Sequence, residues 1–262
     1  MRRVLVTGAA RGLGEALVRA FRTRGDEVLA TDRDTAAEID LALDVTSPDD
    51  WTAARAAVEA RWGGLDVLVN NAGVAGGGRL DVAGLDEWRW ITEINLFGVV
   101  QGTAAFVPVF KRQGSGHVVN VASLAGLVHP AGMASYNAVK AAVVALTETT
   151  GHELAAHGVR ASVVCPSYFR TDLVTRMQGR DKALSQVIAQ LVADSPLGPE
   201  DIAAAVLDGI DRGDELILPD PAARAAYALK TTDRAAYDAQ LRRQAARLEM
   251  LPDGVGERPA DE

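Results

Sequence analysis

The sequence predicts a doubly wound α/β domain, a seven-stranded parallel sheet held between two layers of helices. Three observations predict it. Short apolar runs recur at "RVLVT" (3–7), "EVLAT" (27–31), "IDLAL" (39–43), "DVLVN" (66–70), "HVVNVA" (117–122), "RASVVC" (160–165) and "ELILP" (215–219). Helical patterns of roughly 12–25 residues separate them. The composition, 48% hydrophobic and 24% charged over 262 residues, suits one large domain with a sizeable core. Strands without polar alternation need cover on both faces, and a parallel sheet with right-handed helical crossovers supplies it.

The elements follow in order. The first strand runs into "TGAARGLG" (7–14), with Gly8, Gly12 and Gly14 spaced G-x-x-x-G-x-G. Such a turn lets the backbone approach a pyrophosphate without a Cβ in the way. A helix expected from about Leu13 would present its unpaired N–H groups to the anion. The second strand ends in Asp32, at the position where a dinucleotide fold keeps an acid for the adenosine ribose; an aspartate that merely opens a turn is the alternative. After the third strand, Asp44 and Val45 stand in "LALDVTS", where helix capping near Thr46 and Ser47 would also explain the acid. The fourth strand leads into "VLVNNAGVAGGG" (67–78), which brings Asn71, Ala72 and Gly73 to a strand's carboxyl end, the place of a ligand crevice in such sheets.

A long helix is expected over about 86–112, with Asn95 the polar exception in "WRWITEINLFGVV". A buried amide there must find partners. The fifth strand ends at Ser123, and a second long helix, about 134–156, opens with "MASYNAVK". Tyr136 and Lys140 are four residues apart and share a helix face. An ammonium beside a phenol favours the phenolate, so the pair is either a tuned acid/base or two side chains sharing a face by chance. The sixth strand leads into "CPSYFRTDL" (165–173), with Pro166 and Thr171. Residues 172–198 are expected to form a pocket wall. There Leu184, Val187, Ile188, Leu191 and Val192 recur at helical spacing, which serves core packing equally well. Residues 1–220 read as one domain. Residues 221–262 read as a helical C-terminal extension whose charged helix (231–250) lies solvated on the surface, ending in a frayed "LPDGVGERPADE".

Several function classes are disfavoured. The formal net charge of −8, with no basic patch beyond pairs such as Arg242-Arg243, argues against nucleic acid or an anionic membrane as partner. No run approaches the roughly 18 apolar residues of a membrane span. The N-terminal apolar run stops at Gly8, too short for a signal-peptide core. The single cysteine, Cys165, fits a reducing, cytoplasmic setting. The four histidines (117, 129, 152, 157) lack metal-ligand spacing, so no metal is expected.

Taken jointly, "TGAARGLG", "NNAG" at 70–73, Asn95, and Ser123 followed by "YNAVK" resemble the classical short-chain dehydrogenase/reductase family, from about residue 2 to about 220. The resemblance implies a Rossmann-type three-layer fold and hydride transfer between a nicotinamide cofactor and a secondary alcohol or ketone. Tyr136 would be the general acid/base. Lys140 would lower its pKa, together with the charge of an oxidised nicotinamide, and would bond the nicotinamide ribose. Ser123 would hold the substrate oxygen, and Asn95 would anchor a water leading from Lys140 to solvent. The implied cofactor contacts are Gly8, Arg11, Gly12, Leu13, Gly14, Asp32, Arg33, Asp44, Val45, Asn71, Ala72, Gly73, Tyr136, Lys140, Pro166 and Thr171. Asp32 favours NAD, while Arg11 and Arg33 are within reach of the 2′-phosphate of NADP, the alternative. A catalytically silent dinucleotide sensor is the rival of another class; the intact Ser123–Tyr136–Lys140 set argues against it. Relatives commonly pair the two long helices into tetramers, and both helices here are apolar on more than one face, so a homotetramer is expected, with a dimer as the fallback. Two departures stand out: Ser167 follows Pro166 where the family usually has glycine, and the chain continues beyond the family core.

Overall fold

A computed structural model describes residues 1–174 and 177–251 of the chain. Positions 175–176 of the expected pocket wall, and 252–262 of the expected frayed end, lie outside the described residues. Strands β1 (Arg3–Thr7), β2 (Glu27–Asp32), β3 (Leu41–Ala42), β4 (Val67–Asn70), β5 (Gly116–Val121), β6 (Val159–Val164) and β7 (Leu216–Ile217) all pair in parallel. Their order is β3-β2-β1-β4-β5-β6-β7. All seven expected strands are present. The two at the edges shrink to two residues each, so little unpaired backbone is left at either edge.

The sheet is apolar on both faces because alternate side chains go opposite ways. Val4, Val6, Val28, Ala30, Val67 and Val69 join Leu17 and Phe21 of α1 (Gly12–Thr23) and Val206 and Ile210 of α8 (Pro199–Arg212). Leu5, Leu29, Leu68 and Val118 lie on the other face, under Trp51 and Val58 of α2 (Pro48–Trp62) and Phe106 and Phe110 of α4 (Gly98–Gln113). Helix α6 (Ala134–Leu154) completes that layer, with Val143 and Val144 against Val99 and Val163. The winding turns outward from β1 on one side and from β4 on the other, so a crevice opens at the carboxyl ends of these two strands.

The first long helix is not uniform. Helix α3 (Leu85–Thr92) widens into a π-helical turn at Glu93–Phe97 before α4 continues to Gln113. By length and composition Leu85–Gln113 would suffice to cross a bilayer, but here its apolar side chains Phe106, Val109 and Phe110 are buried in the core of the sandwich. A short α5 (Ala125–Val128) follows β5. In α7 (Lys182–Ala193), Leu184, Ile188 and Val192 turn inward, whereas Val187 and Leu191 are 37% and 44% exposed.

The extension differs from the expectation of a solvated helix. It forms α9 (Pro221–Thr232) and α10 (Arg234–Leu248), and α10 buries Tyr237 and Leu248. Leu248 packs with Met133, Leu184 and Ile188. The reason is visible in its spacing: 237, 241, 244 and 248 fall on one face, and the arginines 242, 243 and 247 fall elsewhere.

Candidate active site

The glycine turn is built for close backbone approach. Gly8 and Gly12 take φ of 67° and 55°, a left-handed conformation that favours glycine. A Cβ on Gly14 would stand 2.0 Å from the Gly8 carbonyl oxygen, and one on Gly8 would stand 2.8 Å from Ala72 Cα. Helix α1 therefore begins one residue earlier than expected, at Gly12, and its N-cap residue Arg11 makes no side-chain cap. Its first N–H groups are left for a ligand. Thr171 comes over this turn; its Oγ1 is 3.1 Å from where a Gly12 Cβ would be.

Asp32 ends β2 facing the same turn. Its Oδ2 accepts from Ala10 N at 3.0 Å and its Oδ1 from Asp34 N at 2.9 Å, which fixes the carboxylate in place. Arg11 is ion-paired with Asp34. Asp34 also lines the crevice and was not singled out from the sequence, although "DRD" at 32–34 puts a second acid there. Arg33 is exposed. Asp44 shows both readings at once: its Oδ1 accepts from Thr46 N at 2.9 Å and Thr46 Oγ1 at 2.8 Å, and it lines the crevice with Val45. Burial pushes the Asp44 carboxyl up, but these donors and the Arg33 charge hold it below the usual range. Helix α2 is capped by Ser47 rather than Asp44.

Asn71 is a brace. Its Nδ2 donates to Thr7 O at 2.9 Å and Gly8 O at 3.3 Å, and Thr7 Oγ1 accepts from Asn71 N and Ala72 N at 3.0 Å each. The amide thus ties the β4 turn to the glycine turn. Asn95, fully buried, accepts from Val74 N at 2.8 Å and donates to Val74 O at 2.9 Å. Its side chain thus braces the loop after β4. The π-helical turn interrupts the regular backbone ladder at this residue.

Ser123 lies just past β5 and Tyr136 and Lys140 on the first two turns of α6. The Ser123 Oγ accepts from Ala125 N at 3.2 Å and hydrogen-bonds the Tyr136 phenol. Lys140 Nζ donates to Val121 O at 3.0 Å and lies 5.8 Å from the centre of the Tyr136 ring. Burial pushes the phenol up to about 12, against the Ser123 hydrogen bond, with Tyr168 and Cys165 adding to the rise. Burial also pushes the Lys140 amine down to about 8. In the protein alone burial dominates, and the lowering expected of Lys140 is not among the effects on the phenol. Ser167 replaces the family's glycine without breaking the turn: its N–H and Oγ both donate to the buried Asp220, at 2.9 and 2.6 Å.

One cavity of about 750 Å³ joins these parts. Gly8, Arg11, Gly12, Leu13, Gly14, Asp32, Arg33, Asp44, Val45, Asn71, Ala72, Gly73, Pro166 and Thr171 line it together with Ser123, Tyr136 and Lys140. Asn95 alone of the expected site residues stands behind the wall. Met177, Gln178, Ile188 and Val192 of the expected pocket wall also line it, together with residues the sequence reading did not assign to a site: Trp90, Tyr237, Gln240, Leu241 and Gln244.

A glycine turn at a switch point, a carboxylate at the second strand and a Ser–Tyr–Lys set in one crevice define a nicotinamide-dependent oxidoreductase. Residues 2–182 match the family model described as short chain dehydrogenase, and the chain belongs to that family. It is 39% identical over 180 residues to a 3-alpha-(or 20-beta)-hydroxysteroid dehydrogenase of Mycobacterium tuberculosis, covering 64% of this chain and 69% of the relative. A solved short chain dehydrogenase/reductase from Burkholderia phymatum, in complex with NAD, superposes with a TM-score of 0.81 at 30% identity, covering 90% and 94% of the two chains. A short chain dehydrogenase from Burkholderia cenocepacia J2315, in complex with NADP, superposes with a TM-score of 0.78 at 28% identity, covering 92% and 97%.

Proposed function

We propose that this chain is an NAD(H)-dependent alcohol dehydrogenase or ketone reductase acting on a neutral secondary alcohol or ketone, with Tyr136 as general acid/base. The observation that carries the proposal is the meeting of Ser123, Tyr136 and Lys140 with the glycine turn and Asp32 in one cavity. The residues fit the cofactor: the turn has room only for glycine, the α1 N-terminus is uncapped, and Asp32 is held rigid at the adenosine end. When bound, the nicotinamide supplies or accepts the hydride. Gly12, Leu13 and Gly14 receive the pyrophosphate on backbone N–H groups. Ser123 accepts from Ala125 N and gives its hydroxyl proton to the Tyr136 phenol oxygen, and that proton would turn to a substrate oxygen seated between the two hydroxyls. Tyr136, protonated at neutral pH, gives its proton to that oxygen in reduction and takes it back in oxidation. Lys140 bonds the nicotinamide ribose and moves protons toward Tyr136.

The hydroxysteroid specificity named for the mycobacterial relative supports a bulky alicyclic substrate. The NADP of the other solved structure, with the exposed Arg33, supports NADP(H) as the second reading. We read residues 1–220 as the catalytic unit with the extension docked on it, the assembly as a homotetramer, and the location as cytoplasmic, in line with the single buried cysteine. The test is a spectrophotometric screen of cyclic ketones and alcohols with both cofactors. Tyr136→Phe is expected to lose at least about a hundredfold in kcat while the cofactor dissociation constant stays near that of the parent. Turnover close to normal in Tyr136→Phe would refute the assigned acid/base.

A further inference from the structure

Helix α10 shows the substrate end of the cavity a face unlike the rest of its surface. Tyr237, Gln240, Leu241 and Gln244 line the cavity, spaced three and four apart on one side of the helix. The arginines at 242, 243 and 247 do not line it. Around this end the wall is apolar: Trp90, Val128, Met133, Met177 and Ile188. Gln178 adds a third amide from the loop before α7. Helices α7, α9 and α10 contribute no charged side chain to the lining. Gln240 and Gln244 are exposed at the rim of the cavity, and an amide both donates and accepts, so it pairs with hydroxyl, carbonyl or amide groups; a carboxylate here would meet no cation from these helices.

The face is fixed rather than free to swing. The Tyr237 hydroxyl donates to Val128 O, and Lys230 Nζ donates to Leu127 O. Asp220 caps α9 at Ala223 N, 2.8 Å, while holding Ser167 of the loop beside Pro166. Arg79, paired with Asp181 at 2.9 Å in the interior, donates to Leu248 O at 3.4 Å. A wall tied at four places is pre-organised for recognition.

We infer that α10 is a specificity wall whose Gln240 and Gln244 read an uncharged hydrogen-bonding group at the end of the substrate remote from the reacting carbon. The inference rests on the reading of the cavity as a ketone and alcohol site. Its test uses three fused-ring ketones with one skeleton: unsubstituted, with a distal hydroxyl, and with a distal carboxylate. Calorimetric Kd in the presence of cofactor and kcat/KM are measured for the full chain and for Gln240→Leu/Gln244→Leu, with Gln240→Ala/Gln244→Ala as the smaller change. In the parent, the hydroxylated ketone is expected to exceed the plain one by about tenfold, the worth of one or two net hydrogen bonds. The carboxylate should bind more weakly than the hydroxyl. In both double variants the hydroxyl-to-plain ratio falls toward one. A ratio that survives both double substitutions, or a parent that does not prefer the hydroxyl over the other two ligands in Kd, overturns the inference. Ratios that behave as expected in Kd without any turnover would support the wall and sink the proposed reaction instead.

Discussion

Lys140 is a charge placed where folding alone would not put one. Its pKa falls from 10.5 to about 8, so between those values the unfolded chain holds the proton that the folded chain releases. Stability therefore rises with pH across that window; the cost is fully present below about 8 and gone above 10.5. A shift of that size corresponds to about 3 kcal/mol, and the bond to Val121 O returns about 1 kcal/mol. Lys140→Met is expected to melt higher than the parent at pH 7 by about 2 kcal/mol, with the gap closing by pH 10.5, while turnover collapses. A variant that melts lower at pH 7 would show that the amine is not buried at a cost. Asp32 carries the cofactor prediction at the same scale. It is pinned by two backbone N–H groups, Asp34 lies next to it, and Arg11 is already committed to Asp34. A phosphate at the ribose would meet a fixed carboxylate about 4 Å away, at roughly 4 kcal/mol per unit of charge product for an effective dielectric of 20. Exposed arginines recover about 1 kcal/mol or less. The expected result is a higher kcat/KM with NAD(H) than with NADP(H) on one ketone at one salt concentration, and a narrowed or reversed ratio in Asp32→Ala. If the ratio in that variant equals the parent's, Asp32 does not face the ribose.

At the scale of elements, what could be read from the sequence was what periodicity and local turn chemistry encode. The seven strands, the glycine turn and the tyrosine–lysine spacing are all short-range patterns, and each lies where its pattern predicts. The roles of Asn71 and Asn95 were less legible, because an amide's partner is decided by tertiary contact: Thr7 and Gly8 for one, Val74 for the other. The π-helical turn at Glu93–Phe97 has no residue signature and was invisible. Helix α10 is solvated over most of its surface, as "RAAYDAQLRRQAARL" suggests, but its docked edge is hidden because the segment looks charged as a whole. Only the spacing of Tyr237, Leu241 and Leu248 marks its inner face, and the face becomes meaningful once Asp220, Lys230 and Arg79 fix where the helix lies. Ser167 was legible only as a departure. Its compensating acid is 53 residues away, at the head of the extension.

At the scale of the whole molecule, the outer surface of the α4 and α6 layer sets the final prediction. From Ala134 to Thr147 the only ionisable side chain with a charge at neutral pH is Lys140, and it is buried. What α6 shows to solvent there is Ala138 and Ala145, with Ala141 and Ala142 half-buried. On α4 and the turn before it, Phe97 is 47% exposed, and Ala104 and Pro108 are exposed on the same side. A helix that ends its burial at the core carries charged residues on its outer stripe; a stripe of alanines beside an exposed phenylalanine lets another backbone approach closely. The other outer helices differ: α1 exposes Glu15 and Arg19, and α8 exposes Glu200, Asp208 and Asp211. The α4–α6 layer thus offers a face suited to self-association; one two-fold contact through it closes at two copies, and a second two-fold contact elsewhere closes at four. Multi-angle light scattering at micromolar protein is expected to give four times the 27.6 kDa protomer mass. Ala145→Arg, on the exposed stripe, should lower that mass by placing a charge opposite its own copy. A protomer mass for the unaltered chain would mean that this face meets only water, and the alanine stripe would need another cause.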